Sequence, residues 1–176
     1  MMGKTQLKRV IEFATKAHAG QKRKYTGEDY ITHPLAVGKA IALYEFEIKS
    51  CKKQVIAAAY LHDVLEDTSI TYGELRRFLF SVFLPYDAHF VFDMVVELTD
   101  VYTKKDYPYL NRLERKRLER KRLETINPYS KLIKMEDIAH NSISIEKYDP
   151  EFFKVFLSET KEMWLEFREQ VQTFVN

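Results

Sequence analysis

Apolar side chains recur every three or four residues along most of this 176-residue chain, which is the spacing of amphipathic helices. At about residues 5–19, for example, Val10, Ala14 and Ala17 fall on one helical face. Five glycines and five prolines interrupt the pattern, and no long alternation of apolar and polar residues indicates a half-buried strand. We therefore expect an all-α fold, a single helical bundle of about eight helices, and no linker divides residues 1–176 into two domains.

The composition argues against a membrane protein or a nucleic-acid-binding protein. The 28 basic and 26 acidic residues give a net charge of +2, which provides no general attraction to polyanions. No apolar run approaches the ~20 residues needed to cross a bilayer, and the polar N-terminus lacks the apolar segment of a secretory signal. Cys51 is the single cysteine, so no intrachain disulfide can form, and we expect a reducing, cytoplasmic setting.

Basic residues are concentrated at 21–24 and at 112–122, the second cluster within a helix predicted at 108–125. In that helix, Glu114-Arg-Lys-Arg-Leu118 is followed at once by Glu119-Arg-Lys-Arg-Leu123. Because five residues turn a helix by about 500°, the leucines do not form the seam of a coiled coil. We interpret the repeat as a solvated helix face with intrahelical ion pairs. The alternative is a basic surface that attracts a polyphosphate substrate.

A helix predicted at about 52–66 is apolar on most sides and ends in ionisable residues, namely His62, Asp63, Glu66 and Asp67. A helix that is apolar all round is usually central, and buried carboxylates are costly unless their charge is compensated. In a continuous helix His62 shares a face with Glu66, and Asp63 shares one with Asp67. A divalent cation is the simplest compensation. Taken alone, however, a His-Asp pair is more simply explained by a capped helix end with surface acids.

Two distant segments carry further candidate ligands. His33 follows a charged loop at the predicted start of a helix, and Asp137 lies in an apolar stretch with Asn141 four residues further on. Two imidazoles and two carboxylates suit Mn²⁺, Fe²⁺ or Zn²⁺ better than Mg²⁺, which prefers oxygen ligands. Such a metal lowers the pKa of water towards neutrality and so supplies a nucleophile.

Three segments resemble, in order and spacing, the hydrolase domain of the RelA/SpoT alarmone enzymes, and most of all the small alarmone hydrolases and their animal homologues. They are His18-Ala-Gly-Gln-Lys-Arg-Lys-Tyr-Thr-Gly-Glu-Asp-Tyr-Ile-Thr-His33-Pro34, Ala58-Ala-Tyr-Leu-His62-Asp63-Val-Leu-Glu66-Asp67-Thr68 and Lys134-Met-Glu-Asp137-Ile-Ala-His-Asn141. The likeness extends over about residues 5–170 and is loose between 72 and 125.

The resemblance implies a helical HD fold that binds Mn²⁺ and hydrolyses the 3′-pyrophosphate of ppGpp or pppGpp. Matched position by position, the metal ligands are His33, His62, Asp63 and Asp137. Glu66 and Asp67 match the acidic pair that orients water and transfers protons. The chain is too short for the synthetase and regulatory domains of the long enzymes, so we expect it to degrade alarmone without making it.

The resemblance also implies a guanine nucleotide with phosphates as the substrate partner. Arg23 and Lys24 match the basic loop that contacts the nucleotide, and Asn141 matches an amide of the substrate pocket.

Two positions depart from the family pattern. Ile143 stands where the family usually has arginine, and Glu136 replaces the alanine before the aspartate. A guanidinium is a strong phosphate ligand, so one alternative is an HD phosphohydrolase of another nucleotide, such as NADPH. A second alternative is a catalytically idle nucleotide-binding or interaction protein. The complete ligand set and the acidic pair Glu66 and Asp67 argue against it.

Other conspicuous side chains are interpreted as structural. His18, His89 and His140 are not assigned as metal ligands, and Trp164 is expected to dock the last helix. Aromatic residues cluster within 78–92 and are assigned to the core. An interface between copies of the chain, and hence a homo-oligomer, would also account for them.

Overall fold

The computed structural model describes residues 2–46 and 49–175, which fold into helices joined by loops. The helices are α1 (Met2–Ala17), α2 (Thr32–Leu43), α3 (Lys52–Leu61), α4 (Val64–Asp67), α5 (Tyr72–Val82), α6 (Pro85–Leu98), α7 (Arg112–Leu123), α8 (Pro128–Tyr148) and α9 (Pro150–Val171), with a 3₁₀ turn at Lys49–Cys51. None of these helices is both long and apolar enough to cross a membrane. If α4 is counted as a continuation of α3, the described ranges contain eight helices, and the prediction of an all-α bundle is confirmed.

The helix predicted at 52–66 is interrupted at His62 and Asp63, so the prediction of one continuous helix is wrong. In an unbroken helix the amide of Asp63 would donate to the carbonyl of Ala59. Here the ring nitrogen Nδ1 of His62 lies 2.8 Å from that carbonyl oxygen and donates to it. The chain returns to helix at Val64. His62 and Asp63 therefore lie at a junction between two helices.

The central helix is α3, which packs against α1, α2, α6 and α8. Its residues from Val55 to Leu61 are all buried, as expected for a helix that is apolar on most sides. The close approach of α2 depends on Gly38, because a Cβ atom there would lie 2.3 Å from the ring of Tyr60. This contact fixes the spacing between α2, which carries His33, and α3.

The last two helices, α8 and α9, pack along each other, and α8 also packs against α2, α3 and α6. Asp149 separates them, and its side chain accepts a hydrogen bond of 3.2 Å from the amide of Phe152 in the first turn of α9. Phe167 is fully buried and Trp164 packs against the core, so the predicted docking of the last helix is confirmed.

Helix α7 begins at Arg112 and not at residue 108 as predicted. Asn111 and Glu114 form a capping box, in which each side chain accepts a hydrogen bond from the other residue's backbone amide. The cap fixes the start of the helix there and leaves residues 99–111 as a loop between α6 and α7.

The aromatic cluster at 78–92 divides between core and surface. Phe83 is buried, and three neighbours pack against the core, namely Phe78, Phe90 and Phe92. Phe80 and Tyr86 are 39% and 83% exposed, so the assignment to the core is wrong for these two. Both lie where α5 and α6 turn their outer faces to solvent.

Candidate metal centre and substrate cavities

Four side chains from distant parts of the chain converge between α2, α3 and α8. His33 lies at the start of α2, His62 and Asp63 at the junction of α3 and α4, and Asp137 within α8. His33 Nε2 is 3.0 Å from Asp137 Oδ1 and 3.5 Å from Asp63 Oδ2. His62 Nε2 is 3.1 Å from Asp63 Oδ1 and 3.7 Å from Asp137 Oδ1. One donor atom each from His33, His62 and Asp63 lies within 4.8 Å of the others, so this group can hold a metal ion.

The imidazole of His62 is oriented for a cation. Its Nδ1 atom donates to the carbonyl of Ala59, which directs Nε2, the nitrogen that can take a proton or a metal ion, at the two carboxylates. Nε2 is buried and has no hydrogen-bond partner among the residues that the structure describes. Burial opposes a charged ring, but Asp63 and Asp137 outweigh it and raise the pKa of His62 well above its ordinary value. The two carboxylates thus favour a positive charge at the position of Nε2, and the donor set fits a divalent cation.

His140 holds the ring of His33 in place through a contact at the Nδ1 atom of His33. The two Nδ1 atoms are 2.8 Å apart, so one ring donates to the other. Burial, together with the charges of His33 and Arg23, lowers the pKa of His140 to about 4. A neutral His140 accepts the Nδ1 proton of His33, which directs the Nε2 lone pair of His33 to the centre. His140 therefore lies beside the ligands without joining them, in agreement with the sequence interpretation.

Lys134 is a largely buried cation of the site, with a side chain 19% exposed, that the sequence analysis missed. Its Nζ atom donates to Asp137 Oδ2 over 3.0 Å, while Asp137 Oδ1 faces the imidazoles. Burial would raise the pKa of both carboxyls of the centre. The Lys134 charge instead holds the pKa of Asp137 well below its usual range, and the His62 charge lowers the pKa of Asp63 to about 2. Both aspartates are therefore ionised and available as ligands. The spacing of Lys134 and Asp137, three residues apart on α8, was the available signal.

Glu66 faces the cavity described below and contacts the loop after α6. Its Oε2 atom accepts a hydrogen bond of 3.1 Å from the amide of Asp100. Removal of the carboxyl from water, reinforced by the charge of Asp100, raises the pKa of Glu66 to about 7. A carboxyl that gains and loses its proton near neutral pH is suited to general acid–base catalysis.

Asp67 is linked to the metal centre through Tyr30. The Tyr30 hydroxyl lies 2.6 Å from Asp67 Oδ2 and 2.8 Å from Asp63 Oδ2, so the two aspartates share a face as their spacing predicts. A hydroxyl donates a single proton, so it can bond both carboxyls when one of them is protonated. Burial raises the pKa of Asp67, whereas the pKa of Asp63 is lowered, so Asp67 takes up a proton more readily than Asp63. Tyr30 is itself buttressed by His18, whose ring stacks on it with centroids 4.9 Å apart.

A cavity of about 330 Å³ opens beside the metal centre. One wall carries Asp63, Glu66 and Asp67, and Lys134 and Asn141 also line it. The cavity lining thus combines carboxyls that could handle protons with the largely buried cation of Lys134.

Part of the lining of this cavity belongs to α7 and α9. Arg112, Lys116 and Arg120, four residues apart on α7, line it. Arg112 and Arg120 pair with carboxylates of α9, including Glu159 at 2.8 Å from Arg112. The interpretation of intrahelical ion pairs is therefore wrong for Arg112 and Arg120, which pair with α9. Arg112 and Lys116 remain partly solvated, with side chains 52% and 42% exposed, although all three cations line the cavity.

A second cavity of about 220 Å³ adjoins the first. Three residues line both cavities, namely Tyr30, Asn141 and Ile145. Arg23 and Lys24 line the second one, and Arg23 donates a hydrogen bond of 2.8 Å to the side-chain oxygen of Asn141. The structure thus brings together Arg23, Lys24 and Asn141, which the sequence analysis predicted as substrate contacts.

Ile143 does not line either of these two cavities, and its side chain is 67% exposed. Glu136, the other departure, accepts a hydrogen bond of 2.6 Å from the hydroxyl of Tyr44, away from both cavities.

With this geometry in place, comparison with known proteins identifies the family. Over 147 residues the chain is 34% identical to the human protein named guanosine-3′,5′-bis(diphosphate) 3′-pyrophosphohydrolase MESH1, and the alignment covers 83% of this chain and 73% of the human one. The chain belongs to the MESH1 family. The HD domain family matches residues 11–82, a segment that contains His33, His62 and Asp63. The predicted membership of the RelA/SpoT-type HD-domain hydrolases is confirmed.

Two further comparisons concern a second relative and a solved structure. The guanosine-3′,5′-bis(diphosphate) 3′-pyrophosphohydrolase of Aquifex aeolicus (strain VF5) is 48% identical over 72 residues, which are 41% of this chain and 10% of that protein. A solved structure, described as a metazoan ortholog of SpoT that hydrolyzes ppGpp and plays a role in starvation responses, superposes with a TM-score of 0.68. It is 23% identical and covers 90% of this chain and 85% of its own, which shows a shared fold.

Proposed function

We propose that this protein is a Mn²⁺-dependent pyrophosphohydrolase that removes the 3′-pyrophosphate of ppGpp or pppGpp and has no synthetase activity. The observation that carries the proposal is the position of the four predicted ligands. They lie beside two adjoining cavities, one with a wall of cations and one lined by Arg23, Lys24 and Asn141. The names of the relatives support the choice of substrate.

The donor set supports a divalent cation held by His33, His62, Asp63 and Asp137. Two imidazole nitrogens favour Mn²⁺ over Mg²⁺, and Fe²⁺ or Zn²⁺ would suit the same donors. When bound, the cation supplies Lewis-acid chemistry and lowers the pKa of water towards neutrality.

Glu66 and Asp67 handle the protons in this proposal. Glu66, with a pKa of about 7, takes a proton from the attacking water or returns one to the leaving oxygen near neutral pH. Asp67 is held by the Tyr30 hydroxyl at 2.6 Å, which fixes the direction in which its carboxyl meets water and substrate.

In this proposal the guanine nucleotide binds in the smaller cavity and its phosphates extend into the larger one. Arg23, Lys24 and Asn141 contact the guanine nucleotide in the smaller cavity. Lys116 and Arg120 also line the larger cavity, where they neutralise the charge of the phosphates. This assignment gives the basic helix at 112–122 the phosphate-attracting role that was the alternative in the sequence analysis.

A hydrolysis screen tests the proposal. Purified protein is loaded with Mn²⁺ and incubated with ppGpp, pppGpp and NADPH, while pyrophosphate and orthophosphate are measured separately. We expect pyrophosphate from the two alarmones. Orthophosphate from NADPH alone would instead establish the alternative substrate, and no turnover with intact metal binding would establish the idle nucleotide-binding protein.

Asp63→Ala provides the variant for the same screen, and Asp93→Ala provides its control, because Asp93 is an exposed aspartate on α6. We expect Asp63→Ala to lose both metal content and turnover, and Asp93→Ala to keep both. Equal activity in Asp63→Ala and the unmodified protein would refute the assigned metal centre.

The extent of the domain, the location and the assembly stay predictions. We propose that residues 1–176 form one domain around this site, in a cytoplasmic setting and without nucleic acid as a partner. A homo-oligomer formed through the aromatic surface at Phe80 and Tyr86 is likewise a prediction.

A further inference from the structure

Glu119 is a buried carboxylate on α7 that none of the assigned roles explains. Its residue is 3% exposed, and it lines the larger cavity. An ionised carboxylate in such a position is costly unless it is paired and hydrogen-bonded. The partners of Glu119 therefore indicate what it stabilises.

Both oxygens of Glu119 have partners, and one of them binds the loop that follows α6. Glu119 Oε2 accepts hydrogen bonds of 3.1 Å and 3.0 Å from the backbone amides of Val101 and Tyr102. Glu119 Oε1 accepts from Arg122 Nε over 2.8 Å, and Arg122 in turn donates to the carbonyl of Thr99 over 3.3 Å. Glu119 and Arg122 of α7 thus hold the backbone by hydrogen bonds on both sides of residue 100.

Asp100 connects these hydrogen bonds to Glu66, the group proposed to handle protons. The amide of Asp100 donates to Glu66 Oε2 over 3.1 Å, and the carboxylate of Asp100 accepts from Lys116 Nζ over 3.1 Å. Asp100 therefore contacts both a carboxyl proposed to move protons and a cation proposed to meet phosphate. Its backbone position is set by the flanking contacts with Glu119 and Arg122.

We propose that Glu119 is a positioning residue of the hydrolysis proposed above: it fixes the backbone at residues 99–102 so that Asp100 holds Glu66 in place at the cavity. The inference rests on the proposed function. Glu119 touches neither the metal ligands nor Glu66, and it acts through the loop.

The five-residue repeat supplies a matched control. Glu114 and Glu119 each begin the same run, Glu-Arg-Lys-Arg-Leu. Five residues turn the helix by about 500°, so the two side chains point in different directions. Glu114 is exposed and caps α7, whereas Glu119 is buried against the loop. The same substitution can therefore be made in the same sequence context with and without the loop contact.

The first experiment compares Glu119→Ala and Glu119→Gln with Glu114→Gln, which keeps the capping box. We expect kcat to fall by about 10–100-fold in Glu119→Ala, part of the roughly 10²–10⁴-fold that general acid–base catalysis contributes. Glu119→Gln retains one acceptor oxygen, so its kcat should lie between that of Glu119→Ala and that of the unmodified protein. The kcat of Glu114→Gln should match that of the unmodified protein. KM should change less than kcat, and metal content should not change.

Two measurements separate positioning from a general loss of structure. Hydrogen exchange by NMR should show faster exchange of the Val101 and Tyr102 amides in Glu119→Gln but not in Glu114→Gln. Because Glu119 acts through Glu66, adding Glu119→Gln to Glu66→Gln should leave kcat at the Glu66→Gln value.

The outcomes distinguish this inference from the proposed function. If the unmodified protein hydrolyses neither alarmone, the proposed function fails and the inference fails with it. If the unmodified protein is active, three results overturn the inference alone: full kcat in Glu119→Gln, an equal loss in Glu114→Gln, or losses that multiply in the double variant. Glu119→Gln decides the question if Glu119→Ala does not fold.

Discussion

Lys134→Met tests whether Lys134 and a bound cation compensate the same carboxylates. Lys134 Nζ lies 3.0 Å from Asp137 Oδ2, and the charges of Asp100 and Glu66 also act on it, so that its pKa is raised. Methionine fills a similar volume and removes the charge. In metal-free protein the variant leaves the Oδ2 atom of Asp137 without its cationic partner.

The expected loss follows from the burial of this pair. Removing one partner of a buried ion pair costs about 3–5 kcal/mol. The side chains of Lys134 and Asp137 are 19% and 9% exposed, so the lower end, about 3 kcal/mol, is appropriate. A domain of this size shifts its Tm by roughly 2–4 °C per kcal/mol, so we expect a fall of about 6–12 °C in the presence of EDTA.

Mn²⁺ should recover more of the Tm in the variant than in the unmodified protein. A divalent cation beside Asp63 and Asp137 replaces the missing positive charge, and Lys134 no longer repels it. Differential scanning calorimetry with EDTA and with Mn²⁺ measures this increment directly.

Lys131→Met is the matched control, because Lys131 is another buried lysine on α8. It donates to the carbonyl of Glu124 and to the side chain of Gln170, both over 2.7 Å and both neutral acceptors. Its loss should lower the Tm without enlarging the Mn²⁺ increment. The reasoning is refuted if Lys134→Met gains no more from Mn²⁺ than the unmodified protein, or if Lys131→Met gains equally.

Two further substitutions test the proton-handling side of the cavity. Glu66→Gln should keep its metal and lose about 10²–10⁴-fold in turnover, and loss of metal would contradict the division of roles. Because the pKa of Glu66 is raised to about 7 in the folded protein, the folded state holds the proton more tightly than the unfolded state. The metal-free wild type therefore loses stability as pH rises through this range. The Tm of Glu66→Gln relative to wild type should accordingly be higher at pH 8 than at pH 5, and a constant difference would exclude the shift. Tyr30→Phe removes the hydroxyl between Asp63 and Asp67 and should lower turnover by about 10–100-fold, as expected for a hydrogen bond to a charged group, with metal content retained. Unchanged turnover would show that Asp67 does not need this contact.

The fold class could be predicted from the sequence because helical periodicity covers nearly the whole chain. The break at His62 could not be predicted from periodicity. It depends on a bond between the His62 ring and the carbonyl of Ala59, and this bond competes with the regular helical one. Local patterning predicts the helix, whereas a specific side-chain rotamer ends it.

The resemblance predicted the four candidate ligands because they lie in its three matching segments, and the structure places two of them, His33 and Asp137, 3.0 Å apart. Asp100 was not found, because it lies where the likeness is loose and its contact with Glu66 depends on how the loop at 99–111 folds. Lys116 was included only in the alternative interpretation of the basic helix. The departure from the family pattern at Ile143 motivated the alternative substrate, but the Ile143 side chain is exposed on α8 and lines neither of the two cavities.

Arg112 and Arg120, which line the larger cavity, are paired with carboxylates in the absence of substrate. This pairing affects how phosphate would bind. Arg112 makes two bonds of 2.8 Å to Glu159, and Arg120 bonds Glu162 and Glu166 at 2.6 and 2.8 Å. A phosphate that approaches them must share or displace carboxylates. However, the guanidinium groups are already extended and ordered, so little side-chain entropy is lost on binding. The carboxylates of α9 also relieve the mutual repulsion of a helix with so many basic residues. These pairs therefore favour selectivity for ligands with several phosphates, because a single phosphate offers too little charge to compete for two guanidinium groups at once.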